Sequence, residues 1–233
     1  MALPKIELPI YELKLPSTGE KVKYRPFTVK EEKILLTSQE SNDVNQIVLS
    51  IKQIINNCLI GKNVDELAVF DIEYVLLTLR SRSVDNLVKF TITDPDTEES
   101  IEVEMDISKV KIQKDENHTN KIKVSDDYFL YMRYPTIDEF TILLSDDVSS
   151  VDKNYDVMIS CMDKLVSKDD VYKFADFTKE EVTEFVDSLQ SDHTKKIKEF
   201  FDTLPKIRHE IPYKTKDGKD KTFVIQGTQT FFI

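Results

Sequence analysis

The chain has 233 residues, 40% hydrophobic and 32% charged, with a formal net charge of −11. That length holds one large domain or two small ones, and the apolar fraction is enough for a packed core. The acidic balance and the lack of any basic run beyond Lys195-Lys196 exclude nucleic acid as the expected partner. With 4 glycines and neither GxGxxG nor GxxxxGK[ST], the chain offers no phosphate-cradling loop.

No stretch approaches the ~20 apolar residues of a membrane span. The N-terminus MALPKIELPIYEL lacks the basic and apolar regions of a signal peptide. A reducing cytoplasm is therefore expected. There Cys58 and Cys161, both on apolar helix faces, read as small buried hydrophobes and not as a disulfide.

In chain order, residues 10–27 alternate on both sides of Pro16-Ser17-Thr18-Gly19 and predict a hairpin. Thr28-Val29-Lys30-Glu31 is a capping box opening a helix that runs to about residues 39–42. Ile47, Val48, Ile51, Ile54, Ile55, Cys58 and Leu59 form one apolar helical stripe, stopped by Gly61. After Asn63-Val64-Asp65-Glu66, a helix carries Phe70, Ile72, Val75, Leu76 and Leu79. Next comes a ribbon that sets Val88, Phe90 and Ile92 against Ile101, Val103 and Met105. Its tip, Asp94-Pro95-Asp96-Thr97-Glu98-Glu99, reads as too acidic for core.

Residues 113–120, QKDENHTN, read as a polar linker with a solvated His118. A hairpin over 121–135 follows, then a second capping box at Thr136-Ile137-Asp138-Glu139. One striped helix is predicted from Tyr155 through Val166. Thr178-Lys179-Glu180-Glu181 caps a helix bearing Val182, Phe185, Val186 and Leu189. A last helix presents Ile197, Phe200, Phe201 and Leu204 before Pro205. A second ribbon turns at Lys216-Asp217-Gly218-Lys219.

The expected fold class is thus α+β and mostly helical, with β-ribbons at the edges. Two related hairpin–helices–hairpin units form an internal pseudo-repeat: domain 1–112, linker 113–120 and domain 121–233. Tyr24-Arg25-Pro26-Phe27-Thr28 matches Met132-Arg133-Tyr134-Pro135-Thr136.

Signals for an enzyme are missing. His118, His193 and His209 have no partner at metal-ligand spacing, and no HExxH, GxSxG or paired CxxC occurs. The expectation is no catalytic residue, no cofactor and no metal. An enzyme with an unconventional site would need a deep pocket lined by perturbed ionisable groups. Function is expected at partner contacts instead. The candidates are the tips Ser17, Thr18 and Gly19; Asp94, Pro95, Asp96 and Glu98; Lys216, Asp217, Gly218 and Lys219; and the terminal Phe231 and Phe232. Those two aromatics either tuck into the core or anchor in a partner.

Three segments carry a resemblance: LKLPSTGEKVKYRPFTVKEEKILL, FDIEYVLLTLRSRSVDNLVKFTI, and FVDSLQSDHTKKIKEFFDTLPKIRHEIPY with the later GTQTFF. Together they resemble the baseplate hub subunit and hub-assembly proteins of T-even-like contractile-tailed phages. The resemblance implies a non-enzymatic morphogenesis protein whose partners are other baseplate or hub proteins, with no nucleic acid and no membrane. It implies residence in the infected-host cytoplasm during assembly or in the virion tail baseplate, either as a subunit that can form an oligomer within the hub, or as a transient chaperone absent from the virion. Members of the family often carry Cys-Pro-x-Cys at the hairpin tips. This chain has Asp94-Pro95-Asp96-Thr97 at the first tip and Lys214-Thr215-Lys216-Asp217 at the second. Without thiolates, a structural zinc is not expected at either.

Overall fold

The computed structural model describes residues 6–41, 43–83, 86–144 and 150–226. By packing, the chain divides into two units: residues up to Gln113 together with those from Lys206 onward, and the segment Lys114–Pro205.

The first unit opens with β1 (Tyr11–Lys14) and β2 (Lys21–Tyr24), paired antiparallel with Leu13 opposite Val22. Alternation buries Leu13, Leu15, Val22 and Tyr24. Gly19 closes the tip at φ +74, where a side chain would be strained. Helix α1 (Val29–Ser41) is followed by α2 (Val44–Cys58), whose N-terminal N–H of Asn45 is capped by the Asp43 carboxylate. The α2 stripe buries Ile51, Ile54, Ile55 and Cys58. Strand β3 (Leu59–Ile60) then extends the hairpin along β2. Helix α3 (Val69–Ser83) buries Phe70, Ile72, Val75, Leu76 and Leu79 as its spacing predicts.

The ribbon β4 (Leu87–Thr93) and β5 (Ser100–Asp106) has the expected register, with Val88 opposite Met105, Phe90 opposite Val103 and Ile92 opposite Ile101. Strand β6 (Lys111–Gln113) ends this part of the unit.

The second unit contains β7 (Lys121–Lys123), β8 (Phe129–Met132), α4 (Ile137–Leu144), α5 (Ser150–Ser160), β9 (Met162–Val166), β10 (Val171–Lys173), α6 (Lys179–Asp187) and α7 (Ser191–Asp202). Its sheet has the order β10-β9-β8-β7. Its core gathers Ile122, Leu130, Met132, Cys161, Ile197 and Phe200. The chain then returns to the first unit as β11 (Lys206–Lys214) and β12 (Asp220–Gln226). Strand β11 pairs with β12 on one side and β6 on the other, with Lys206 opposite Gln113. Ile207, Ile211, Tyr213 and Ile225 join Ile92, Val103 and Met105 in one core.

The fold corrects the expectation of a mostly helical chain. It is 42% helix and 27% strand, a mixed α+β structure with seven helices and four antiparallel sheets among the described residues. The clearest difference lies at 155–166. The stripe continues at helical spacing, but the helix ends at Ser160 and Met162–Val166 becomes β9. There the Arg133 N–H donates to the Cys161 carbonyl at 2.8 Å, and the segment zips onto β8. Periodicity cannot foresee this, because short apolar runs fit both periods and the waiting sheet edge decides. The closing ribbon also sorts by packing with the first unit, not with the segment before it.

The two matched boxes fold alike. In the first, the Arg25 N–H donates to the Cys58 carbonyl at 2.9 Å, as Arg133 does to Cys161. The guanidinium of Arg25 pairs with Glu31 at 3.0 Å, and that of Arg133 with Glu139 at 2.6 Å. Each glutamate also accepts the hydroxyl and N–H of its capping threonine, Thr28 or Thr136.

Candidate functional site

The tips expected to meet partners differ in freedom. In the first, the Ser17 N–H donates to the buried Asp71 carboxylate at 2.9 Å and the Ser17 hydroxyl donates to the same group. Thr18 is exposed, while Ser17 and Gly19 are half-buried. This tip is tied to α3 and offers mainly Thr18.

The other two tips belong to a joint arrangement of the two ribbons. Asp94, expected outside the core, is 0% exposed. Its carboxylate closes its own turn by accepting the N–H groups of Asp96 at 2.9 Å and Thr97 at 3.0 Å. Across from it, β11 and β12 supply the Tyr213 hydroxyl at 2.6 Å and the Lys221 ammonium at 2.8 and 2.9 Å. Lys221 also reaches Asp96 at 2.8 Å. The Thr97 hydroxyl adds a bond at 3.2 Å, so five donors surround one buried carboxylate, which is how a buried charge is tolerated. The Lys221 ammonium, then the Tyr213 hydroxyl, hold the Asp94 carboxyl well below the usual carboxylate range. Asp94 in turn raises both Lys221 and Tyr213. Lys216 adds an outer ion pair to Glu99 at 3.3 Å.

Around this lock, Pro95, Asp96 and Glu98 are exposed, as are Lys216, Asp217, Gly218 and Lys219. Glu98 takes φ 55 and Gly218 φ +83 to close the turns. The exposed surface is a mosaic of both charges on a stapled base. Among the described residues, no three His, Cys, Asp or Glu side chains are placed to hold a metal ion, and no helix is long and apolar enough to cross a membrane. Phe231 and Phe232 lie outside the described residues.

Lys221 and Tyr213 were not legible as part of this site. They lie 127 and 119 residues from Asp94, and no local pattern links them. The structure corrects the expectation of a solvated His118. It is half-buried, stacked at 5.3 Å on Phe200 and 5.7 Å on Tyr134. Thr203 donates its own proton to the Glu199 carbonyl at 2.6 Å, so the His118 Nδ1–H donates to Thr203 Oγ1 at 2.9 Å. That leaves Nε2 to accept from the Tyr134 hydroxyl at 3.2 Å. Burial lowers the His118 pKa and favours this neutral ring.

A family model described as T4 bacteriophage base plate protein matches residues 8–233. No curated protein and no solved structure matches the chain.

Proposed function

Because the chain belongs to the T4 bacteriophage base plate protein family, we propose that it serves the baseplate hub, as a resident subunit acting through protein–protein contacts. The observation that carries this reading is the stapled ribbon pair. A buried ionic lock holds two exposed, charge-mixed tips on a rigid base, and preorganised surfaces of that kind lower the entropy cost of binding. Asp96, Glu98, Lys216, Asp217 and Lys219 are the contact residues we assign to a neighbouring baseplate protein, with Thr18 on the first hairpin.

The test is twofold. Mass spectrometry of purified virions should find the protein in the tail; absence from virions combined with binding to an unassembled hub protein would make it a transient chaperone. Reversing Lys216 and Lys219 to Glu should weaken co-purification with hub proteins at least tenfold, while the loss of their exposed ion pairs to Glu99 and Asp217 lowers thermal stability only slightly. Undiminished binding would remove the tips from the interface.

A further inference from the structure

Strand β10 is an edge of the second unit's sheet. The turn before it fixes which of its backbone groups face outward. The Ser167 N–H donates to the Asp170 carbonyl at 2.9 Å, so that carbonyl faces β9. Backbone groups alternate along an antiparallel strand. Those of Val171 and Lys173 therefore point away from β9.

Natural edges are commonly blunted by lysines. The opposite edge, β7, carries Lys121 and Lys123, with Lys121 over the Phe129 ring at 4.1 Å. Strand β10 carries a single lysine, Lys173, and shows Val171 at 59% and Tyr172 at 39% exposure. Beside it opens a groove of about 530 Å³ lined by Tyr128, Leu165, Tyr172, Phe174, Phe177 and Phe185. Tyr172 is opposite Leu165 in register, so the edge strand forms one lip of the groove.

We propose that β10 pairs antiparallel with β10 of a second copy, about a two-fold axis through Tyr172. In this register Val171 of each copy lies opposite Lys173 of the other. These are the residues with outward-facing groups, so they can exchange N–H···O bonds on both sides of the axis. Tyr172 meets its own counterpart on the groove face, adding an aromatic cross-strand pair. The charges agree with the pairing. The strand is preceded by Asp169-Asp170 and ends on Lys173, so reversal brings each Lys173 beside the acidic turn of the other copy. A same-direction pairing would lack this complementarity. The result is one sheet continuous across two copies, an isologous interface. The pairing does not depend on the baseplate reading: its failure would leave that reading standing.

Sedimentation velocity and engineered disulfides test it. An interface this small is expected in the micromolar range, so the protein should show concentration-dependent dimers below about 100 µM. Val171→Pro removes an N–H that β9 does not use. It should abolish the dimer with circular dichroism and Tm unchanged. Under mild oxidation, Tyr172→Cys should cross-link two copies, because opposed positions in a non-hydrogen-bonded pair lie within disulfide reach. Val171→Cys, which faces Lys173, should not; Cys58 and Cys161 are buried and do not compete. A monomer throughout that range, a Val171→Pro dimer as tight as wild type, or equal cross-linking of both cysteine variants would overturn the proposal.

Discussion

Glu31 and Glu139 show how single side chains set the pH range of the fold. Burial pushes each carboxyl up, but the arginine guanidinium and the capping threonine outweigh it and hold both at about 2, against an ordinary 4.5. The unfolded chain therefore binds more protons between those values. The stability from both latches is complete above about pH 4.5 and is lost as pH falls toward 2. Glu31→Gln should cost about 1–3 kcal/mol near neutral pH. That difference should shrink steadily as pH falls toward 2, where the wild-type group is half protonated. Urea unfolding at several pH values checks both limbs, and a pH-independent deficit would refute the assignment. The threonine–glutamate half of each latch was legible in the sequence because a capping box is local; the arginine that pairs with each glutamate was not. His118 was not, because a polar linker composition says nothing of Tyr134 and Phe200 waiting on other elements.

Among elements, the hairpins followed from alternation and turn residues, the register of β4 and β5 from their facing apolar residues, and the helices from stripes and caps except at 162–166. What stayed hidden was how strands combine. The third strands β3 and β9 are too short or too ambiguous to announce themselves, and each forms only because an exposed hairpin edge receives it. The ribbon lock is equally non-local. Lys221→Met should leave the Asp94 carboxylate buried without its cation. We expect a Tm lower by several degrees, at roughly 2–4 °C per kcal/mol for a chain this size, and faster amide exchange across β4, β5, β11 and β12. Combining it with Asp94→Asn should recover much of the loss, because removing both partners leaves no unpaired charge. A double variant as unstable as the sum of the singles would show that the two residues do not act as a pair.

For the whole molecule, the decisive pairing is Lys206 with Gln113. The second unit leaves and re-enters the first at adjacent positions on neighbouring strands. Joining Gln113 to Lys206 through a short Asn-Gly turn should thus yield a first unit that folds alone, with its ribbons paired; loss of cooperative unfolding in that shortened chain would contradict it. A reading that moves along the sequence assigns the last ribbon to its immediate predecessor, since nothing local marks a return. The same pairing orders events on the ribosome. The first unit emerges early yet lacks β11 and β12, while the second unit is synthesised whole in between. At ~5–20 residues per second, the half-built first unit waits several seconds with Ile92, Val103 and Met105 uncovered. Completion of the earliest-made part thus depends on the latest-made strands, and a ribosome that stalls or terminates before Lys206 releases a chain whose second unit is entire and whose first is not.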